Sequence, residues 1–85
     1  MFNQEIFCEN IKALEKAKNW NSSQLAKEIN MTEATVSRWK SGDRLPSIPA
    51  LWKIADLFDI SIDQLVGREP LPDWARKGGP SGAKR

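Results

Sequence analysis

Between Asn21 and Gly42 the chain reads NSSQLAKEINMTEATVSRWKSG, and this segment restricts the fold more than any other. It contains two short helical patterns separated by a stop. Asn21 is placed to cap the first, Ser22 to about Ile29, and Gln24 three residues later completes a capping-box pattern. Asn30 stands where that helix must end, and Asn tolerates the left-handed backbone that such a stop needs. Thr32 caps the second helix, Glu33 to Lys40, and Gly42 ends it. With Ser22 counted as position 1, Leu25, Ala26, Ile29, Met31, Val36 and Trp39 fall at positions 4, 5, 8, 10, 15 and 18. A small residue at the fifth position lets two helices cross closely, and the other five bury the inner faces.

The flanks carry three more helical patterns. A first helix is expected from about Asn3, its cap, to Lys18, with Ile6, Phe7, Asn10, Ile11, Leu14 and Ala17 on one face. After a loop at Asp43–Pro46, Ser47 caps a fourth helix, and Pro49 is tolerated in its first turn. Its apolar stripe is Ile48, Leu51, Ile54, Ala55 and Phe58. Ser61 with Gln64 signals a short fifth helix that ends near Val66–Gly67. No period-2 alternation suggests a strand. The expectation is an all-α, compact five-helix bundle over residues 1–67. Residues 68–85 are read as a basic, Pro/Gly-rich and largely flexible tail, disordered over its last eight residues, with Pro70–Trp74 undecided.

Composition removes several function classes. Eighty-five residues make one small domain with a marginal core, for which packing quality or dimerisation matters. No apolar run approaches a membrane span, and the N-terminus lacks signal-peptide character, so a soluble cytoplasmic protein with no membrane partner is expected. The chain has one Cys and no His. An internal disulfide is therefore impossible, and no metal or cofactor site is expected. Cys8 is read as a packing residue rather than a redox sensor. Without His, and without a nucleotide-binding or nucleophile motif, enzyme chemistry is poorly supplied. Charge is uneven: residues 1–67 are net −1 and residues 68–85 net +3, within an overall +2. Residues 16–44 carry Lys16, Lys18, Lys27, Arg38, Lys40 and Arg44, whereas the stretch that follows is acidic. One basic face opposite an acidic end orients a DNA binder.

Two helices at a fixed angle are what places one of them in a DNA major groove. The chain resembles the helix-turn-helix domain of the lambdoid phage repressor and Cro family, also called XRE, from about Ile11 to Gly67. The resemblance rests on the paired helices, on SRWKSGDRLPS after the turn and on IADLFDISIDQLVG at the end. It implies a bundle whose third helix enters the major groove of double-stranded DNA, in a transcriptional regulator, most often a repressor. Glu33, Ala34, Ser37 and Arg38 then face base edges, with Arg38 suited to the bidentate contact to guanine. Asn21, Ser22, Thr35, Lys40, Ser41 and Arg44 are expected along the phosphates.

One departure carries information. Family members commonly have Arg at the Glu15 position and Glu at the Lys40 position, paired across the bundle. Here both signs are reversed, and a charge-swapped Glu15–Lys40 bridge is expected. Trp20 and Trp39 occupy inward positions, which argues against a stacking platform for single strands. Trp52, Ile60, Ile62 and Leu65 are candidates for a homodimer surface, since the family uses its C-terminal part for dimers. Other readings stay open. One is an antitoxin-like or other protein-interaction module that orders Leu71–Trp74 against a second protein; another is a fold that has lost DNA binding. The tail itself is either a basic arm on phosphates or the stub of a linker to a further domain.

Overall fold

The computed structural model describes residues 2–76, so the expectations for the last eight residues lie outside it. Among the described residues the order is α1 (Gln4–Lys18), α2 (Ser22–Glu28), α3 (Glu33–Ser41), α4 (Ile48–Phe58), α5 (Ile62–Leu65) and α6 (Asp73–Arg76), with no strand. The fold is all-α, with one more helical segment than the expected five. Among the described residues no helix is long and apolar enough to cross a membrane.

Each boundary has a local cause. Asn3, Asn21, Thr32, Ser47 and Ser61 all accept a hydrogen bond from the backbone N–H three residues on, satisfying a donor that the helix start leaves open. Ser61 and Gln64 form the complete capping box. Asn21 does not: Gln24 turns its amide forward to the Glu28 carboxylate at 3.0 Å instead. At the other ends, Asn19, Asn30, Gly42, Asp59 and Gly67 all adopt positive φ, from 56° to 91°. Around each, two N–H groups fold back onto late helix carbonyls, as when Asn30 donates to Lys27 and Met31 to Ala26. Trp20, Met31 and Ile60, which follow three of these turns, pack on the core.

That core joins Phe7, Ile11 and Leu14 of α1 to Leu25 and Ala26 of α2, Val36 and Trp39 of α3, Ile54 and Phe58 of α4, and Leu65 of α5. Phe7 and Trp39 meet edge to face at 6.2 Å, fixing α3 on α1. Trp20 is half-buried against Phe58. The expected stripes overreach at two places. Ile6 is 42% exposed at the rim, and Ile48 is 66% exposed because α4 begins beyond the edge of the core.

The chain does not leave the core at Gly67. Leu71 and Ala75 are buried within the same cluster, and α6 packs on α1, where Lys18 lies 5.6 Å from the Trp74 ring. Leu71–Trp74, undecided in sequence and considered for a second protein, is thus ordered against this chain's own first helix. The reason is apolar burial: Leu71, just before α6, and Ala75 within it both enter the buried cluster. Gly67 makes the bend possible. Its φ is +91°, and a Cβ there would collide with Ile6.

Candidate nucleic-acid interface

At about 100° per residue, α3 divides into two faces. Val36 and Trp39 point inward and are buried, while Glu33, Ala34, Ser37 and Arg38 share the outer side and are all exposed. Arg38 makes no ion pair among the described residues, so its five donors remain available to a ligand. The helix is held at its start by Thr32, whose hydroxyl accepts from the Thr35 N–H and lies 2.9 Å from the Thr35 hydroxyl. Thr35 is therefore half-buried and locally engaged. At the far end, Asp43 and Arg44 donate their N–H groups to the Arg38 carbonyl, and the Ser41 hydroxyl bonds the same oxygen. Arg44 itself is exposed on the loop beyond.

The expected bridge is present. Lys40 Nζ lies 2.6 Å from Glu15 Oε1, with the two side chains 19% and 6% exposed. The same ammonium donates to Ser22 Oγ at 2.6 Å. Three elements, α1, α2 and α3, are thus joined at one cation. Two of the expected phosphate-facing side chains, Ser22 and Lys40, bond to each other, and Asn21 uses its side-chain oxygen as the α2 cap. Glu15 Oε2 is buried with no hydrogen-bond partner among the described residues, which concentrates the interaction of this carboxylate on Lys40.

Sequence reasoning missed two clamps on α1. Gln4 Nε2 donates to the carbonyls of Arg44, at 2.7 Å, and Trp39, at 3.3 Å. Cys8, one turn on, donates its thiol to the same Trp39 carbonyl. Burial pushes that thiol above its ordinary pKa, keeping it a protonated donor. Asn10 similarly bonds the Gln64 and Leu65 carbonyls at the end of α5. No local pattern marks these residues, since their partners lie 31 to 55 positions away.

The candidate dimer residues divide. Trp52 is 61% exposed and, with Ala55, Asp56, Ile60 and Ile62, lines a shallow groove of about 300 Å³. Leu65 does not belong with them. It is fully buried, because the one-turn α5 aims it at α1 and leaves Ile62 at the rim.

The family model described as helix-turn-helix matches residues 11–65. The HTH-type transcriptional regulator AnsR of Bacillus subtilis is 39% identical over 72% of this chain and 53% of its own length. The cryptic phage CTXphi transcriptional repressor RstR of Vibrio cholerae is 43% identical over 62% of this chain and 47% of its own. The HTH-type transcriptional activator BcrR of Enterococcus faecalis is 30% identical over 93% of this chain and 39% of its own. A crystal structure of a transcriptional regulator from Listeria innocua superposes with a TM-score of 0.67 at 36% identity, covering 84% of this chain and 68% of that one. The chain belongs to the helix-turn-helix family of the XRE/Cro/CI type. It spans about half the length, or less, of the three curated relatives.

Proposed function

We propose that this chain is a sequence-specific double-stranded-DNA-binding transcriptional regulator that inserts α3 in the major groove. The observation that carries this reading is the exposed row Glu33, Ala34, Ser37 and Arg38 on a helix whose opposite face is locked by Val36 and Trp39. Arg38 reads guanine through O6 and N7, Ala34 packs on a thymine methyl, and Glu33 accepts from cytosine N4. Ser37 bonds either a base edge or the adjoining sugar-phosphate. Asn21, Ser22, Thr35, Lys40, Ser41 and Arg44 follow the phosphate ridges and set the register. Of these, Arg44 is the charged group with no ion pair among the described residues, so it carries most of the phosphate attraction. The Lys40 charge is partly offset by Glu15.

The regulator acts as a homodimer on a palindromic operator, with half-sites roughly 34 Å apart. Trp52, Ile60 and Ile62 form the contact between copies. The weak net charge of residues 1–67 supports a dimer, because one copy attracts DNA feebly. Repression by occupancy of the operator is the mode proposed, in keeping with the similarity to a phage repressor.

Selection from a random duplex pool at about 0.1 M salt tests this. Enrichment of an inverted repeat that is lost with Arg38→Ala is expected. Binding that ignores Arg38 and vanishes with modest salt would refute the specific reading.

A further inference from the structure

We propose that Gln4 is a positioning residue for DNA binding, acting through Arg44. The inference rests on the DNA-binding reading above and adds to it a residue outside the helix-turn-helix unit.

The end of a helix leaves carbonyls without intrahelical donors. At the end of α3 these groups lie next to the segment that carries Arg44. The α3–α4 loop curls back so that the Asp43 and Arg44 N–H groups both reach the Arg38 carbonyl. The Arg44 carbonyl lies outside that curl, and Gln4 donates to it at 2.7 Å in an exposed setting. The same amide reaches Trp39 at 3.3 Å, so one side chain joins the last turn of α3 to the loop. Among the described residues no other side chain bonds the backbone of residues 42–46. Gln4 itself sits on a fixed base, because Asn3 caps α1 immediately before it. Phe7 and Cys8, one turn on, anchor that helix on Trp39.

The consequence is electrostatic. Arg44 is exposed, so any freedom of its backbone adds to the rotamer freedom of its long side chain. Fixing its carbonyl fixes the root of the side chain at a constant distance from Arg38 on the recognition helix. Phosphate contact and base contact are then held in one frame, and less freedom is lost when DNA binds.

The test uses the full 85-residue chain and a labelled mixed-sequence duplex of roughly 30 base pairs, so that it needs no known operator. Gln4→Met keeps the helix former and removes the donor; Gln4→Glu keeps the size and replaces the donor with an acceptor. Both are expected to weaken binding roughly 3- to 10-fold at about 0.1 M salt. The slope of log affinity against log salt should fall by about one phosphate contact. In an Arg44→Ala background the uncharged Gln4→Met should add nothing, whereas Gln4→Glu keeps only the residual repulsion of its new carboxylate. Amide exchange at Asp43 and Arg44 should quicken, with exchange across α1 core positions unchanged. An equal loss with and without Arg44 would overturn the proposal, as would wild-type affinity and salt slope. If the unsubstituted chain binds neither this duplex nor any duplex selected from the random pool, the DNA reading fails separately. Exchange at Asp43 and Arg44 then decides whether Gln4 holds the loop, and wild-type rates overturn the positioning role.

Discussion

Glu15 Oε1 and Lys40 Nζ, 25 positions apart, meet at 2.6 Å where α1 crosses the end of α3. The carboxylate is the more deeply buried partner, so its removal leaves a cation with only the Ser22 hydroxyl. Glu15→Ala and Lys40→Ala should each destabilise by about 1–3 kcal/mol, less than a fully buried pair because Lys40 keeps some solvent. The double substitution should cost less than the sum of the two. Urea unfolding of the four proteins measures that coupling, and strict additivity would mean that the bridge contributes nothing.

Reversing the pair gives a second outcome. Glu15→Arg with Lys40→Glu restores the sign order common in the family and keeps the contact. Stability should stay within roughly 1 kcal/mol of the natural chain. Duplex affinity should fall several-fold at low salt, since a carboxylate then lies at the end of the recognition helix. Paired thermal melts and binding isotherms separate the two effects.

Arg38→Ala should leave folding almost untouched, because the side chain is exposed and makes no ion pair among the described residues. Discrimination between the preferred duplex and one altered at the guanine that Arg38 is proposed to contact should drop by about 1–3 kcal/mol. Competition binding against single-base variants reads this directly. Equal loss on every sequence would reassign Arg38 to a phosphate.

Trp52 and Leu65 should behave oppositely. Trp52→Asp replaces a side chain 61% exposed, so the monomer fold should persist while self-association weakens. Leu65→Ala empties a fully buried site and should cost about 2–5 kcal/mol in unfolding free energy. Sedimentation and urea titration together distinguish an interface residue from a core residue.

Gly67→Ala tests the turn that returns the chain to α1. The substitution meets both an unfavourable φ and the Ile6 side chain. A loss of roughly 1–3 kcal/mol is expected, and it should fall on the α6 region first. Faster exchange of the Ala75 and Arg76 amides, whose partner is the Pro72 carbonyl, would locate the damage. A loss near the lower end, about 1 kcal/mol, would mean that Ile6, being 42% exposed, moves aside and leaves only the strain of the positive φ.

Much of this architecture is local, which is why it could be read from residue order. Five caps and the left-handed stops at Asn30 and Gly42 depend on side chains within a few positions. The Glu15–Lys40 pairing is long-range and was legible only because the family resemblance supplied the partner positions. What escaped turns on competition between local partners and on where the core ends. Gln24 prefers Glu28 to its own cap, and Ile6 and Ile48 match a helical period but run past the core edge. Leu65 and Ile62 are both apolar on one short turn, and periodicity over four residues does not choose which is inward. The docking of Leu71 and Ala75 was masked by the polar, Pro-rich residues around them.

The separation of α3 into a packed side and an open side has an evolutionary consequence. Val36 and Trp39 hold the helix in place, and none of Glu33, Ala34, Ser37 or Arg38 contributes to the buried cluster. Those four letters can be rewritten with little thermodynamic penalty to the scaffold. With α3 reading DNA as proposed, new binding preferences are reachable by single substitutions without passing through an unfolded ancestor.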